Sequence, residues 1–184
     1  MINRDIFYSK LSGLFRRINT TQRAGFEHLL TVWDTTYSDN IDEYLAYCLA
    51  TTYHETAQTM QPIEEYGRGH GRPYGPSGFY GRGYVQLTWR ANYEHATTCL
   101  TKMGVKCDLV HDPKQALDET IASHVLYKGM IEGWFTGKKL ANYFDDTTED
   151  APHARRIING LDCADKIAGY YHHFKDAIYA ADPS

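Results

Sequence analysis

The sequence predicts a mainly α-helical protein interrupted by one glycine-rich stretch, which forms a loop or a small, irregular β-hairpin. Two observations carry that reading. Apolar residues recur at a spacing of about 3.6 through most of the chain, the period of amphipathic helices. Seven glycines, with Pro73 and Pro76, gather between Tyr66 and Gly83, where neither a helix nor a long strand is favoured. No internal repeat, heptad seam or low-complexity tail competes with this picture. The 184 residues fit one domain, 1–184, and 42% apolar with 23% charged residues is the make-up of an ordinary globule.

The elements follow in order. From Asp5 to Arg17, the positions Ile6, Phe7, Leu11, Leu14 and Phe15 predict a short amphipathic helix. Thr20 or Thr21 is suited to cap a second, whose buried stripe is Phe26, Leu29, Leu30 and Trp33. After the polar turn Ser38-Asp39-Asn40, a long helix is expected over Ile41 to Met60, with Tyr44, Leu45, Cys48, Leu49 and Thr52 on one face. Pro62 has no amide hydrogen to continue the ladder, so the helix stops before it. Glu55 then rides in the last turns of a rigid element, and Glu65 lies past the break. Further helices are predicted around Trp89 to Met103, from Lys114 to Tyr127, and through Ala151 to Tyr179. The stretch Gly129 to Thr147 is mixed, with Trp134, Phe135, Leu140 and Tyr143 as buried anchors.

Composition removes several function classes. A net charge of −4 argues against a nucleic-acid partner, which calls for a basic face. No apolar run reaches the length that spans a bilayer, so no stable membrane insertion is expected. Residues Met1 to Asp5 lack the basic-then-apolar order of an export signal. Cys48, Cys99, Cys107 and Cys163 are too dispersed for a zinc ribbon, and free, mostly buried thiols are expected. His54-Glu55 invites a metallopeptidase reading, but the second imidazole of His-Glu-x-x-His is replaced by Gln58. Neither a metal nor another cofactor is expected, and the chain is read as a monomer.

What remains is a pair of carboxylates. Glu55, amid Tyr53, Thr56, Thr59 and Met60, is expected to be enclosed without a cationic partner, which favours the protonated form and suits a general acid. Glu65, beside Gly67 and Arg68, is expected to stay ionised and act as base. Glu64 is equally acidic, and local chemistry alone does not choose between neighbours. Adjacent residues of an extended stretch point to opposite sides, so only one of the two faces a cleft. Gln86 and Thr88, two apart, share one side of an extended segment, where amide and hydroxyl can hold a water or an N-acetyl group. The plainer alternative is that they satisfy local backbone. Gly81-Arg82-Gly83 is not a phosphate loop, lacking the Gly-Lys ending.

The blocks His54-Glu55-Thr56, Ile63-Glu64-Glu65-Tyr66-Gly67, Phe79 through Trp89 with Asn92-Tyr93, and Arg156-Ile157-Ile158-Asn159-Gly160 resemble the family 19 glycoside hydrolases. Their order matches over about residues 45–165, and the glycine block ending in Gln-Leu-Thr is the specific part. The resemblance implies a lysozyme-like helical fold with a cleft between two lobes. It implies Glu55 as general acid, Glu65 as general base with Glu64 as the alternative, and Thr88 as holder of the attacking water. It places His54, Glu64, Tyr80, Gln86, Asn92 and Asn159 in substrate binding, together with Arg156 as an electrostatic partner near the cleft. It also implies inversion at the anomeric carbon, which asks for carboxylates roughly 6.5–9.5 Å apart.

The shortness of the chain is closest to the compact bacteriophage endolysins of that family. On that reading the enzyme is a muramidase made soluble in the bacterial host cytoplasm. It reaches the wall in the periplasm after the inner membrane is breached. Its partner is then the peptidoglycan glycan strand, cut between N-acetylmuramic acid and N-acetylglucosamine. Two alternatives stand beside it: a chitinase acting on chitin or chitooligosaccharides, and an inactive wall-sugar-binding module.

Overall fold

The computed structural model describes residues 1–182. Seven α-helices and one minimal hairpin make up its regular structure: α1 (Arg4–Lys10), α2 (Thr20–Val32), α3 (Asp42–Glu55), β1 (Ile63–Glu64), β2 (Arg82–Gly83), α4 (Arg90–Lys102), α5 (Glu119–Glu132), α6 (Ala151–Ala154) and α7 (Ala164–Ala181). The strands are antiparallel, with Ile63 opposite Gly83 and Glu64 opposite Arg82. The mainly α class with a small hairpin is therefore as the sequence predicts, while several boundaries move.

Each shift has a local cause. Asn19, not Thr20 or Thr21, caps α2: its side chain accepts from the Gln22 amide, and the Gln22 side-chain oxygen accepts in turn from the Asn19 amide. The first predicted helix splits into α1 and a 3-10 turn over Leu11–Gly13. The helix expected from Lys114 is a 3-10 turn at Pro113–Leu117 followed by α5, because Asp118 caps a fresh start through the amides of Thr120 and Ile121. Helix α3 ends at Glu55, five residues short of Met60. There the Thr56 hydroxyl donates back to the Thr52 carbonyl (2.7 Å) and accepts from the Met60 amide (3.1 Å). Ala57, Gln58 and Met60 follow with left-handed φ of 49°, 69° and 57°. Gly25 admits this turn, since a Cβ there would stand 1.9 Å from the Met60 carbonyl oxygen.

The packing separates two lobes. Helix α7 lies along α3, with α1 and α6 also against it. Here Phe174 meets Phe26 and Tyr53, while Tyr171 meets Tyr47 and Phe144, all at ring-centroid distances of 5.2–6.1 Å. Each such ring removed from water contributes about 1.5–3 kcal/mol. The second lobe holds the hairpin, α4 and the Pro113–Leu117 turn, and α5 contacts α2 and α3 on one side and α4 and β2 on the other. Its anchor is Arg82: the guanidinium is buried, lies 3.9 Å from the Tyr80 ring centroid, and donates to the Tyr93 hydroxyl and the Gly78 carbonyl.

The four cysteines are free, but only Cys48 is buried; Cys99 and Cys107 are partly covered and Cys163 is exposed. The expectation of mostly buried thiols is thereby corrected. Cys163 initiates α7 with a left-handed backbone, φ 57°, on the surface rather than in a helix face. Among the described residues no helix is long and apolar enough to cross a membrane, and no cluster of His, Cys, Asp and Glu is placed to hold a metal ion.

Candidate active site

Glu55 is the last residue of α3, so a helix buried along most of its length delivers it to the surface of the core. It opens into a cavity of about 290 Å³ where Gln86 and Thr88 come from one side and Asn159 and Ile158 from the other. Tyr74, Val85 and Arg155 complete the lining. Four residues singled out in the sequence, Glu55, Gln86, Thr88 and Asn159, thus meet in one cleft between the lobes.

The environment of Glu55 differs from the expectation. Arg155 Nη1 donates to Glu55 Oε1 at 2.5 Å, and the two side chains are only 5% and 16% exposed. The carboxyl is enclosed with a cationic partner, not without one. Arg155 is itself fixed by donating from Nε to the Asp162 carbonyl, 3.0 Å. Arg156, the arginine chosen from sequence, is exposed and outside the cleft; only its carbonyl is used, accepting from the Thr136 hydroxyl. The helical register explains the exchange. Ala151, Ala154 and Arg155 share the inward face of α6 and its 3-10 extension, a pattern readable from the sequence had the alanines been weighted.

Glu64 and Glu65 have opposite surroundings. Both Glu64 oxygens are taken by guanidinium groups, Arg68 Nε at 2.9 Å and Arg82 Nε at 3.0 Å. Glu64 thus joins the arginine anchor of the second lobe, with an ion pair on each of its oxygens. Glu65 makes no ion pair among the described residues. Its Oε2 accepts from the Gly81 amide at 3.1 Å and its Oε1 from the Tyr74 hydroxyl at 3.2 Å. The main chain pins the same residue, since the Glu65 amide donates to the Gly81 carbonyl at 2.8 Å.

Gln86 is not part of an extended segment, as the spacing suggested. Its φ is 57°, in a turn that brings Leu87 back onto Arg82. Its amide nitrogen donates to the Ile63 and Gly83 carbonyls, so the local-backbone role and the cleft position hold together. Thr88 lines the cleft, and its hydroxyl has no hydrogen-bond partner among the described residues. Tyr80 is committed to Arg82 and Asn92 lies on the first turn of α4; neither lines the Glu55 cavity. His54 faces a separate cavity of about 260 Å³ with Lys166 and Tyr170. Burial pushes its imidazole below the usual histidine range, partly offset by the neighbouring Glu55 charge. Tyr74 has no sequence signal beyond an aromatic between two loop prolines; only the folded loop reveals it.

No family model and no curated protein matches the chain. Among solved structures, a bacterial family 19 chitinase, described as differing from the plant enzymes, superposes with a TM-score of 0.58 at 22% identity, over 96% of this chain and 95% of that one. The fold is thus that of a family 19 chitinase. The match is to a bacterial chitinase rather than a phage protein, and it contradicts the expectation of a peptidoglycan partner.

Proposed function

We infer that this protein is an inverting glycoside hydrolase acting on β-1,4-linked N-acetylglucosamine, as chitin or chitooligosaccharides. The observation carrying this reading is the single cleft that gathers Glu55, Gln86, Thr88 and Asn159, with Tyr74 joining it to Glu65. The chitinase fold supports the substrate class.

In the reaction, Glu55 gives its proton to the glycosidic oxygen as the bond to the anomeric carbon breaks. Arg155 then stabilises the carboxylate left behind through a charge-assisted hydrogen bond. Glu65 takes a proton from a water whose oxygen bonds to the opposite face of that carbon, and the free Thr88 hydroxyl orients this water. Asn159 and Gln86 offer amides to N-acetyl groups. One proton leaves Glu55 and one arrives at Glu65, so solvent exchange restores both. The test is incubation of wild type and Glu55→Gln with chitin hexasaccharide, reading new reducing ends. Cleavage by the wild type alone is expected. Binding without cleavage, or cleavage unchanged in Glu55→Gln, contradicts the reading.

A further inference from the structure

The glycine-rich loop returns on itself with little freedom. A Cβ on Gly75 would lie 2.0 Å from the Gly69 carbonyl oxygen, so the two backbones touch. That closure carries Tyr74 back over Glu65, nine positions earlier in the chain. The Tyr74 ring is held from the other side by Trp89, with centroids 5.3 Å apart and planes at 77°. Trp89 directly follows Thr88 and keeps a left-handed backbone, φ 69°. Tyr74 therefore both lines the cavity that Glu55 and Thr88 share and donates to Glu65.

We propose that Tyr74 is a positioning residue for Glu65: its hydroxyl, braced by Trp89, fixes the carboxylate in the one rotamer that serves as base. The proposal rests on Glu65 being the base of the hydrolysis described above. A carboxylate has a loosely restricted terminal torsion, and one backbone donor on Oε2 leaves it free to swing about that contact. A second donor on Oε1, from a ring packed edge-to-face on Trp89, restricts the swing. Thr88 and Tyr74 are then two sides of one arrangement, the first for the water and the second for the group that deprotonates it. The Tyr74 hydroxyl carries a signature of this contact. Burial pushes its ionisation above the ordinary tyrosine value, and the Glu65 charge and hydrogen bond push it further up.

The experiment compares wild type, Tyr74→Phe and Glu65→Gln. Tyr74→Phe keeps the ring and its contact with Trp89 and removes only the donor. On chitin hexasaccharide, kcat is expected to fall about tenfold with KM within about twofold, the split of an orienting effect. In parallel, the tyrosine ring-carbon resonance of Tyr74 is titrated by NMR in wild type and Glu65→Gln. Its midpoint is expected to move down when the Glu65 charge is removed. An unchanged midpoint, or an unchanged kcat in Tyr74→Phe, overturns the positioning role. If the wild type fails to cleave while the midpoint still moves, the hydrolase reading falls. The Tyr74–Glu65 contact is then structural, and the proposal falls with that reading.

Discussion

The two lobes hold their carboxylates by different physics. Glu55 ends a helix whose inner face is buried against α7, so packing of aromatic and aliphatic side chains fixes its backbone. Glu65 lies in a region of two-residue strands, where polar contacts from Gly81, Tyr74 and the main chain fix it instead. Damage to the helical core is therefore read as lost stability, and damage to the polar contacts that hold Glu65 as lost turnover in a protein that still folds.

The adjacent glutamates break or sharpen this contrast most strongly. Glu65→Gln is expected to lower kcat by about 10²–10⁴-fold, the range of a lost general base, with an unchanged melting temperature. Glu64→Gln is expected to keep most activity but lose about 1–3 kcal/mol, because it strips a charge from the buried Arg82. Rate assays and denaturant titrations on both variants check the pair. In the helical lobe, Phe174→Ala removes the ring between Phe26 and Tyr53 and is expected to cost about 3–5 kcal/mol, again by denaturant titration. In the loop, Gly75→Ala forces the chain away from Gly69 and displaces Tyr74. About a tenfold loss of kcat is expected, with a melting shift smaller than that of Phe174→Ala.

The smallest effect concerns pH. His124, buried in α5 with its Nδ1 2.8 Å from the Tyr37 hydroxyl, is held by burial below the ordinary value of 6.5, as is His54. A group with a depressed folded-state value binds its proton more readily when unfolded. The stability it allows is complete above 6.5 and is lost as pH falls through 6.5 towards the lower folded value. Melting curves between about pH 7.5 and about pH 5.5 are expected to drop by roughly 2–4 °C from this source, less so in His124→Gln.

Much of this was legible in the residues. Periodicity marked the helices, and Pro62 announced that the Glu55 helix would end. Its end five residues early was not legible, because the Thr56 side chain replaces backbone hydrogen bonds that the period alone assumes. Glu55, Gln86 and Thr88 were legible from their chemistry and Asn159 from the family 19 resemblance, and the four meet in the cleft. Arg155 was missed in favour of its neighbour, since a doublet of identical residues does not say which faces inward until Ala151 and Ala154 fix the helical register. Tyr74 was missed because irregular loops have no period to read, and its role comes from a backbone closure between two glycines.

The most direct test of the central claim is proton NMR of the first reducing ends released from chitin hexasaccharide. Glu55 as acid and Glu65 as base predict that they appear as the α-anomer, and that Glu55→Gln and Glu65→Gln release at least about a hundredfold less. Initial β-anomer, or release undiminished in either variant, would contradict it.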